Sequence, residues 1–450
     1  MKELEEVGGE RRGRSSLTQV AAATSIGSAL EWYDFFVYGT AAALVFNKLF
    51  FPKFDPLVGT LAAFATFGVG FFARPFGGAV FGHFGDKIGR KTILVLTLLL
   101  VGGGTTLIGL LPAYSLIGVW APILLVLLRL IQGFGAGAEY GGAVIMAVEY
   151  APVGRRGIVG AWPPIGVTVG NLLAAGVFAL LSPLPSNQFL AWGWRIPFLL
   201  SIVLLGVGLF IRMRVAETPV FSEVKDKRDV LERPVLVAMR EHPRSFLVVI
   251  GARIAENGLG YLFPVFALSY VVTQLKVPRT TALYAVTLAT VIELFAIPFF
   301  SWLSDRIGRR PVYVGAAAFS ALFAFPFFFL LDTKSAFLIW LAFTLALSIG
   351  VAGMFGPQAA YFAELFGPRV RYSGFAFARE LGSVIAGGPA PFVATALVVA
   401  AGGKPWLVAL YIIVMALITL VAVLLGPETY RTDIRAEEPA EGQPGYVPAT

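Results

Sequence analysis

The sequence predicts an all-α membrane protein whose twelve transmembrane helices form two pseudo-symmetric six-helix bundles, with both termini in the cytoplasm. Three observations carry that reading. Hydrophobic residues make up 57% of the 450-residue chain and charged residues only 14%, with a mean hydropathy of +0.78. No soluble fold can bury so much apolar surface, so lipid is the solvent for most of the chain. The apolar residues fall into twelve runs of about the 20 residues that a bilayer crossing requires. Finally, one polar turn occurs twice: Gly82-His-Phe-Gly-Asp86-Lys-Ile-Gly89-Arg90-Lys91 and Ser301-Trp-Leu-Ser-Asp305-Arg-Ile-Gly308-Arg309-Arg310. Both the aspartates and the arginines of these turns are 219 residues apart. A period of half the chain means two copies of one large unit.

In order, the first half reads as a polar segment, 1–17, followed by spans at about 18–47, 57–82, 91–111, 116–148, 157–181 and 195–214. The opening segment carries both charge signs and no apolar signal-peptide core, so the first run is expected to act as an uncleaved anchor. Residues 215–244 are rich in both charges and read as a cytoplasmic linker, helical in part. The second half gives spans at about 245–274, 281–303, 311–331, 336–363, 373–400 and 404–426. The tail, 427–450, is acidic and rich in Pro and Gly, and is expected to be disordered. Domains thus divide as 18–214 and 245–426. Of the 35 Lys and Arg, 24 fall on the even-numbered turns and termini, seven on the odd-numbered turns and four inside spans. That bias predicts that both termini are cytoplasmic.

The same numbers exclude other classes. The net charge of +8 is spread over short turns and forms no nucleic-acid face. There is no cysteine, and the two histidines, His83 and His242, are far apart, so no metal cluster or thiol nucleophile is expected. No nucleophile elbow or sizeable soluble domain supports an enzyme or a sensor. The expected partners are a small-molecule substrate, protons and the lipid bilayer; no cofactor is expected, and the protein is expected to be monomeric.

The repeated turn resembles the best-known motif of the major facilitator superfamily, and its spacing resembles that superfamily's six-plus-six plan. Arg129-Leu-Ile-Gln132-Gly133-Phe-Gly-Ala-Gly137 resembles a second motif. Further stretches are similar to the metabolite:proton symporter family, whose members carry proline/betaine, α-ketoglutarate, citrate and shikimate: Glu31-Trp-Tyr-Asp34-Phe-Phe-Val-Tyr38, Ala73-Arg74-Pro75, Glu139-Tyr140-Gly141, Trp194-Arg195-Ile-Pro197 and Glu217-Thr218-Pro219. The resemblance covers about 18–426 and implies a proton-coupled importer working by alternating access. Two departures stand out. Ser301 replaces the opening Gly in the second turn, and no osmosensing type of coiled coil follows the last span, which weighs against betaine.

Ionisable groups inside spans are costly and mark function by default. They are Glu31, Asp34, Arg74, Arg129, Glu139, Arg253, Glu256, Glu293, Arg379 and Glu380. Glu31, Asp34 and Tyr38 share a helix face, and two acids so close resist joint ionisation, which suits a proton carrier. The plainer reading is a pair that hydrates the cavity. In related sugar porters an acid of span one pairs with an arginine of span four; the resemblance therefore implies that Asp34 pairs with Arg129, whose alternative is a structural salt bridge. Glu139 and Gln132 lie on one stripe of span four beside Tyr140. Arg253, Glu256, Asn257 and Tyr261 share a face of span seven. The repeat offset sets Arg253 against Asp34, so the two faces should meet across one cavity. There Arg253 would clamp a substrate carboxylate, or serve Glu256 alone. Arg379 is a further substrate candidate, although Arg379 and Glu380 can neutralise each other. Trp32, Phe35, Phe36 and most of the 39 Phe read as packing or lipid-facing. No role follows for Glu293.

At the cytoplasmic edge, Glu149 and Glu364 end spans four and ten. The resemblance implies the pairs Arg90–Glu149 and Arg309–Glu364, and Asp86 suits the N-terminus of span eleven, whose dipole favours an anion. With Asp305, these form a predicted gate. A carboxylate importer is the first reading, a proton symporter of a zwitterion such as proline or betaine the second. The third is an efflux antiporter, which Gly160-Ala-Trp-Pro-Pro-Ile-Gly166 argues against because drug exporters carry a Gly-Pro motif there.

Overall fold

A computed structural model gives the arrangement. It describes residues 17–434 except 89, 139, 153, 215–233 and 433, without the side chains of 17–20, 22, 23, 79, 82–92, 94, 138, 211–214, 234 and 236. Glu139 and most of the 215–244 linker therefore lie outside the described residues, as do the Asp86 and Arg90 side chains.

The first half contains α1 (Leu17–Ala41, extended by a π-helical turn at Ala42–Phe46), α2 (Pro56–Ile88) and α3 (Arg90–Leu110). It continues with α4 (Trp120–Glu149), α5 (Arg156–Leu181) and α6 (Arg195–Arg214). Pro234–Glu241 is a short helix within the linker. The second half contains α7 (Pro243–Thr273), α8 (Arg279–Ile307), α9 (Arg309–Asp332), α10 (Ala336–Glu364), α11 (Arg371–Ala400) and α12 (Trp406–Leu425). Among the described residues ten helices are long and apolar enough to cross a bilayer, and Val95–Leu110 of α3 adds a shorter apolar stretch. The described residues contain no strand. The lower count follows from α1, where Glu31, Asp34 and several Ser and Thr dilute the apolar residues.

The two halves repeat one packing scheme. In the first, α1 packs on α5, α3 on α6 and α2 on α4; in the second, α7 packs on α11, α9 on α12 and α8 on α10. The halves meet along α5–α8 and α2–α11. Large apolar side chains such as Phe72, Phe76, Leu180, Phe295, Leu322 and Phe329 point outward, whereas Arg74, Arg129, Arg253, Arg309 and Arg379 are fully buried. This inversion is what a lipid solvent demands: apolar groups cost nothing outside, and charges must find partners inside.

Backbone proximity sets the α2–α4 seam. A Cβ on Gly77 would lie 1.8 Å from the Phe134 carbonyl oxygen, and one on Gly133 would lie 2.1 Å from that of Gly70. Small residues permit the close approach that drives helix association in lipid. Gly77→Ala must push α2 and α4 apart, and about 1–3 kcal/mol of destabilisation is expected. Thermal unfolding in detergent should show a clear drop in Tm, and an unchanged Tm would refute the seam.

Candidate functional site

The site lies where α1, α5, α7, α8, α10 and α11 converge. Trp32 and Phe36 of α1, Asn171 of α5, Arg253, Glu256, Asn257 and Tyr261 of α7, Glu293 of α8 and Arg379 of α11 line a cavity of about 40 Å³. That volume holds one or two waters and no metabolite. Trp32 and Phe36, read from sequence as packing, are cavity walls. Their face lies about 150° round the helix from that of Glu31 and Asp34, so the apolar face of α1 meets the cavity and the acidic face does not.

Arg253 reaches the cavity, but its guanidinium is largely committed. It donates through Nη1 to Glu256 Oε2, to Gln358 Oε1 at 3.2 Å and through Nε to Ser383 Oγ at 3.3 Å. Gln358 Nε2 completes the ring by donating to Glu256 Oε2 at 2.6 Å. Arg379 differs. Its Nη1 meets Glu380 Oε1 at 2.5 Å, while its buried Nε and Nη2 have no hydrogen-bond partner. Its guanidinium carbon stands 3.8 Å from the centre of the Tyr140 ring. The Tyr140 and Tyr261 hydroxyls and Asn257 Oδ1 are likewise buried without partners. Unmade hydrogen bonds of this kind are expensive unless a ligand or water makes them.

Arg74 of α2, a mid-span charge to which the sequence assigned no role, is the hub. Its Nη2 is 3.4 Å from Glu31 Oε1, and its Nε is 2.9 Å from Glu380 Oε2 but off the line of the N–H. It also lies 5.0 Å from the ring centres of Trp32 and Phe35. Arg74–Glu380 ties the two halves at mid-depth. The Arg379–Glu380 neutralisation anticipated from sequence is present, but Glu380 is shared with Arg74.

Asp34 and Arg129 do not touch. Asp34 Oδ1 accepts from Ser201 Oγ of α6 at 2.5 Å. Arg129 donates to Gln132 Oε1 at 2.5 Å and lies over the rings of Phe35 and Tyr38, at 4.4 and 4.2 Å. Gln132 in turn donates to Thr105 Oγ1 at 2.6 Å, and the Tyr38 hydroxyl donates to Thr66. The implied ion pair is thus replaced by side chains of Ser, Thr and Gln, which give no signal in a sequence because they are common in spans. This pocket lies inside the first half and contributes nothing to the cavity wall, contrary to the expected meeting of Asp34 with Arg253.

Contacts join the two halves at both faces. On the terminal face, Asp305 of α8 accepts from the backbone N–H groups of Gly157 and Ile158 at 2.8 and 2.9 Å, capping the start of α5 across the halves. Arg309 bonds Asp305 at 2.8 Å and grips Glu364 through Nε and Nη2 at 3.2 and 3.1 Å. The implied Arg309–Glu364 pair is therefore formed. Glu149 meets Arg371 at 2.9 Å, joining α4 to α11. On the opposite face, Arg279 at the start of α8 donates to the carbonyls of Ser182 and Leu184 beyond α5.

The chain matches two family models, "Sugar (and other) transporter" over residues 20–243 and "Major Facilitator Superfamily" over 245–448. It is 42% identical to the shikimate transporter of Escherichia coli (strain K12), covering 93% of this chain and 96% of that one. It is 39% identical to a glycine betaine/proline/ectoine/pipecolic acid transporter of Dickeya dadantii, covering 94% and 86%. Among solved structures, a D-xylose–proton symporter shares the fold with a TM-score of 0.68 at 18% identity, over 91% of this chain and 97% of that one. An inward-open xylose transporter from E. coli gives 0.67 at 17% identity, over 92% and 97%. A buried arginine network between two six-helix halves, with contacts across both faces, is thus set in a known frame: the chain belongs to the major facilitator superfamily, among the relatives of the shikimate and proline/betaine transporters, and is a multi-pass membrane transporter of small solutes rather than an enzyme.

Proposed function

We propose that the protein imports a small carboxylate together with protons by alternating access, with both termini and the 215–244 linker cytoplasmic and with 18–214 and 245–426 as the rocking halves. The observation that carries this reading is Arg379: two unpartnered guanidinium donors at the cavity, beside the free hydroxyls of Tyr140 and Tyr261. Two parallel N–H groups match a carboxylate. Trp32 and Phe36 would flank its apolar part. Arg253 then serves to hold Glu256 and Gln358 in place. The E. coli relative's named substrate, shikimate, has this chemistry. A zwitterion such as proline or betaine is the second reading, favoured by Glu256 and Glu293 in the same cavity. Uptake of shikimate, citrate, α-ketoglutarate, proline and glycine betaine into proteoliposomes, driven by an inward proton gradient, tests both. Accumulation of none, with gradient-driven expulsion instead, would establish the efflux antiporter.

Asp34 is the proposed proton carrier of the first half, cycling between the Ser201-bonded state and one paired with Arg129. Glu31, held by Arg74, would adjust that exchange. Asp34→Asn is expected to abolish uphill accumulation while leaving counterflow intact. If Asp34→Asn still drives substrate-dependent alkalinisation of the medium, the proton travels elsewhere.

A further inference from the structure

Glu293 stands at the midpoint of α8, is 5% exposed and faces the central cavity. Every other described carboxylate of the central network has a cation or a donor. Glu31 has Arg74, Glu380 has Arg74 and Arg379, Glu256 has Arg253 and Gln358, and Asp34 has Ser201. Among the described residues Glu293 makes no ion pair and no hydrogen bond. The helix packed against it from the other half, α5, offers only neutral groups at the cavity, Thr168 and Asn171. Asn171 is turned toward Thr290 at 3.3 Å, one turn before Glu293. From α10 the cavity receives only Leu347, Val351 and Phe355. The charged or titratable groups that share the cavity are Arg253, Glu256 and Tyr261 of α7 and Arg379 of α11. Both arginines are paired with other acids, and Glu256 is the one other carboxylate that lines the cavity.

An ionised carboxylate here would sit in a buried cavity beside Glu256 with no cation bonded to it, which costs several kcal/mol. The neutral acid avoids that cost. We infer that Glu293 is a second proton-carrying site, in the C-terminal half, loaded together with the anionic substrate. The inference rests on the proposed carboxylate symport. An anion held by Arg379 disfavours a second negative charge in the same cavity, so substrate and proton bind more tightly together than apart, and by linkage each promotes the other equally. When the halves part on one face, water enters, the carboxylate becomes affordable and the proton leaves to that face as the anion departs. The acid's O–H bond is the only one made and broken, with bulk water as donor and acceptor.

The test compares wild type with Glu293→Gln in lipid nanodiscs by infrared difference spectroscopy between neutral and alkaline pH. Expected is the loss, in Glu293→Gln, of one carbonyl band of a protonated carboxylic acid that wild type shows at neutral pH. Glu293→Asp should shift this band rather than delete it, and serves where the Gln variant is not recovered. Identical spectra in wild type and variants would overturn the inference. This readout needs no substrate, so it decides even if no carboxylate is transported. With shikimate as probe in proteoliposomes, the proton-to-substrate ratio should fall by one in Glu293→Gln; an unchanged ratio would also overturn it.

Discussion

Arg379→Ala is expected to abolish carboxylate transport at micromolar substrate, because binding should weaken by about 2–5 kcal/mol, the scale for truncating one member of a buried charged contact. At 1.4 kcal/mol per decade, this means roughly thirtyfold to over a thousandfold in Kd. The substitution should leave the fold standing. Glu380 keeps Arg74 at 2.9 Å, so no carboxylate is stranded. Arg253→Ala must behave differently: it strips Glu256 of its cation inside the cavity wall, and lost protein rather than altered affinity is its expected signature. Arg379→Lys separates the two contributions of the guanidinium. A lysine keeps the charge but not the fork, so partial recovery points to charge and none to bidentate geometry. The measurement is equilibrium binding of the transported acid to purified protein. Wild-type affinity in Arg379→Ala would remove Arg379 as the clamp and shift attention to the pocket of Arg129.

The helices and the pairs between near neighbours were legible in the sequence, and the mid-span partnerships between helices were not, for a physical reason. Helix ends differ from the apolar runs by a few residues, since bilayer thickness and terminal charges dictate where a span stops: α5 ends at Leu181 and α11 at Ala400 as read. The 219-residue offset foretold two like halves, and α1–α5 and α7–α11 pack alike. Which face of a helix looks inward is a weaker signal when lipid accepts apolar side chains all round. Periodicity therefore grouped Glu31 with Asp34, yet the fold sends one to Arg74 of α2 and the other to Ser201 of α6. Arg74 and Glu380 were visible as costly mid-span charges of opposite halves, but only tertiary structure shows that they meet. Arg379 looked neutralised by its neighbour because adjacency in sequence reveals one contact and hides the unpartnered Nε and Nη2. Glu293 had no legible role for the opposite reason: its meaning is the absence of a partner, which no pattern of spacing displays.

Asp305→Ala is expected to open the terminal face. Asp305 accepts two N–H groups at the start of α5 and one arginine, so it both caps a helix of the other half and anchors Arg309. The start of a helix carries a partial positive charge, which strengthens this contact. Removing one member of such a buried set costs about 3–5 kcal/mol. A closed population of 99 in 100 is held by roughly half of the ~5.5 kcal/mol that separates 1:99 from 99:1, so a loss of this size carries the equilibrium past parity. Arg309 keeps Glu364, and Glu149–Arg371 still bridges α4 and α11, so the protein should fold and should open rather than fall apart. The chain has no cysteine, which makes paired labelling clean. Spin labels at Arg155→Cys, just before α5, and Arg369→Cys, just before α11, sit on exposed positions of opposite halves. Their distance distribution should move to longer values in Asp305→Ala, and uptake against a gradient should fall several-fold while downhill efflux from preloaded vesicles is retained. Asp305→Asn should lie between, since an amide oxygen can still accept one N–H but offers Arg309 no charge. A distance distribution that matches wild type, together with wild-type uptake, would mean that the Asp305 contact does not hold the face shut and that Glu149–Arg371 does.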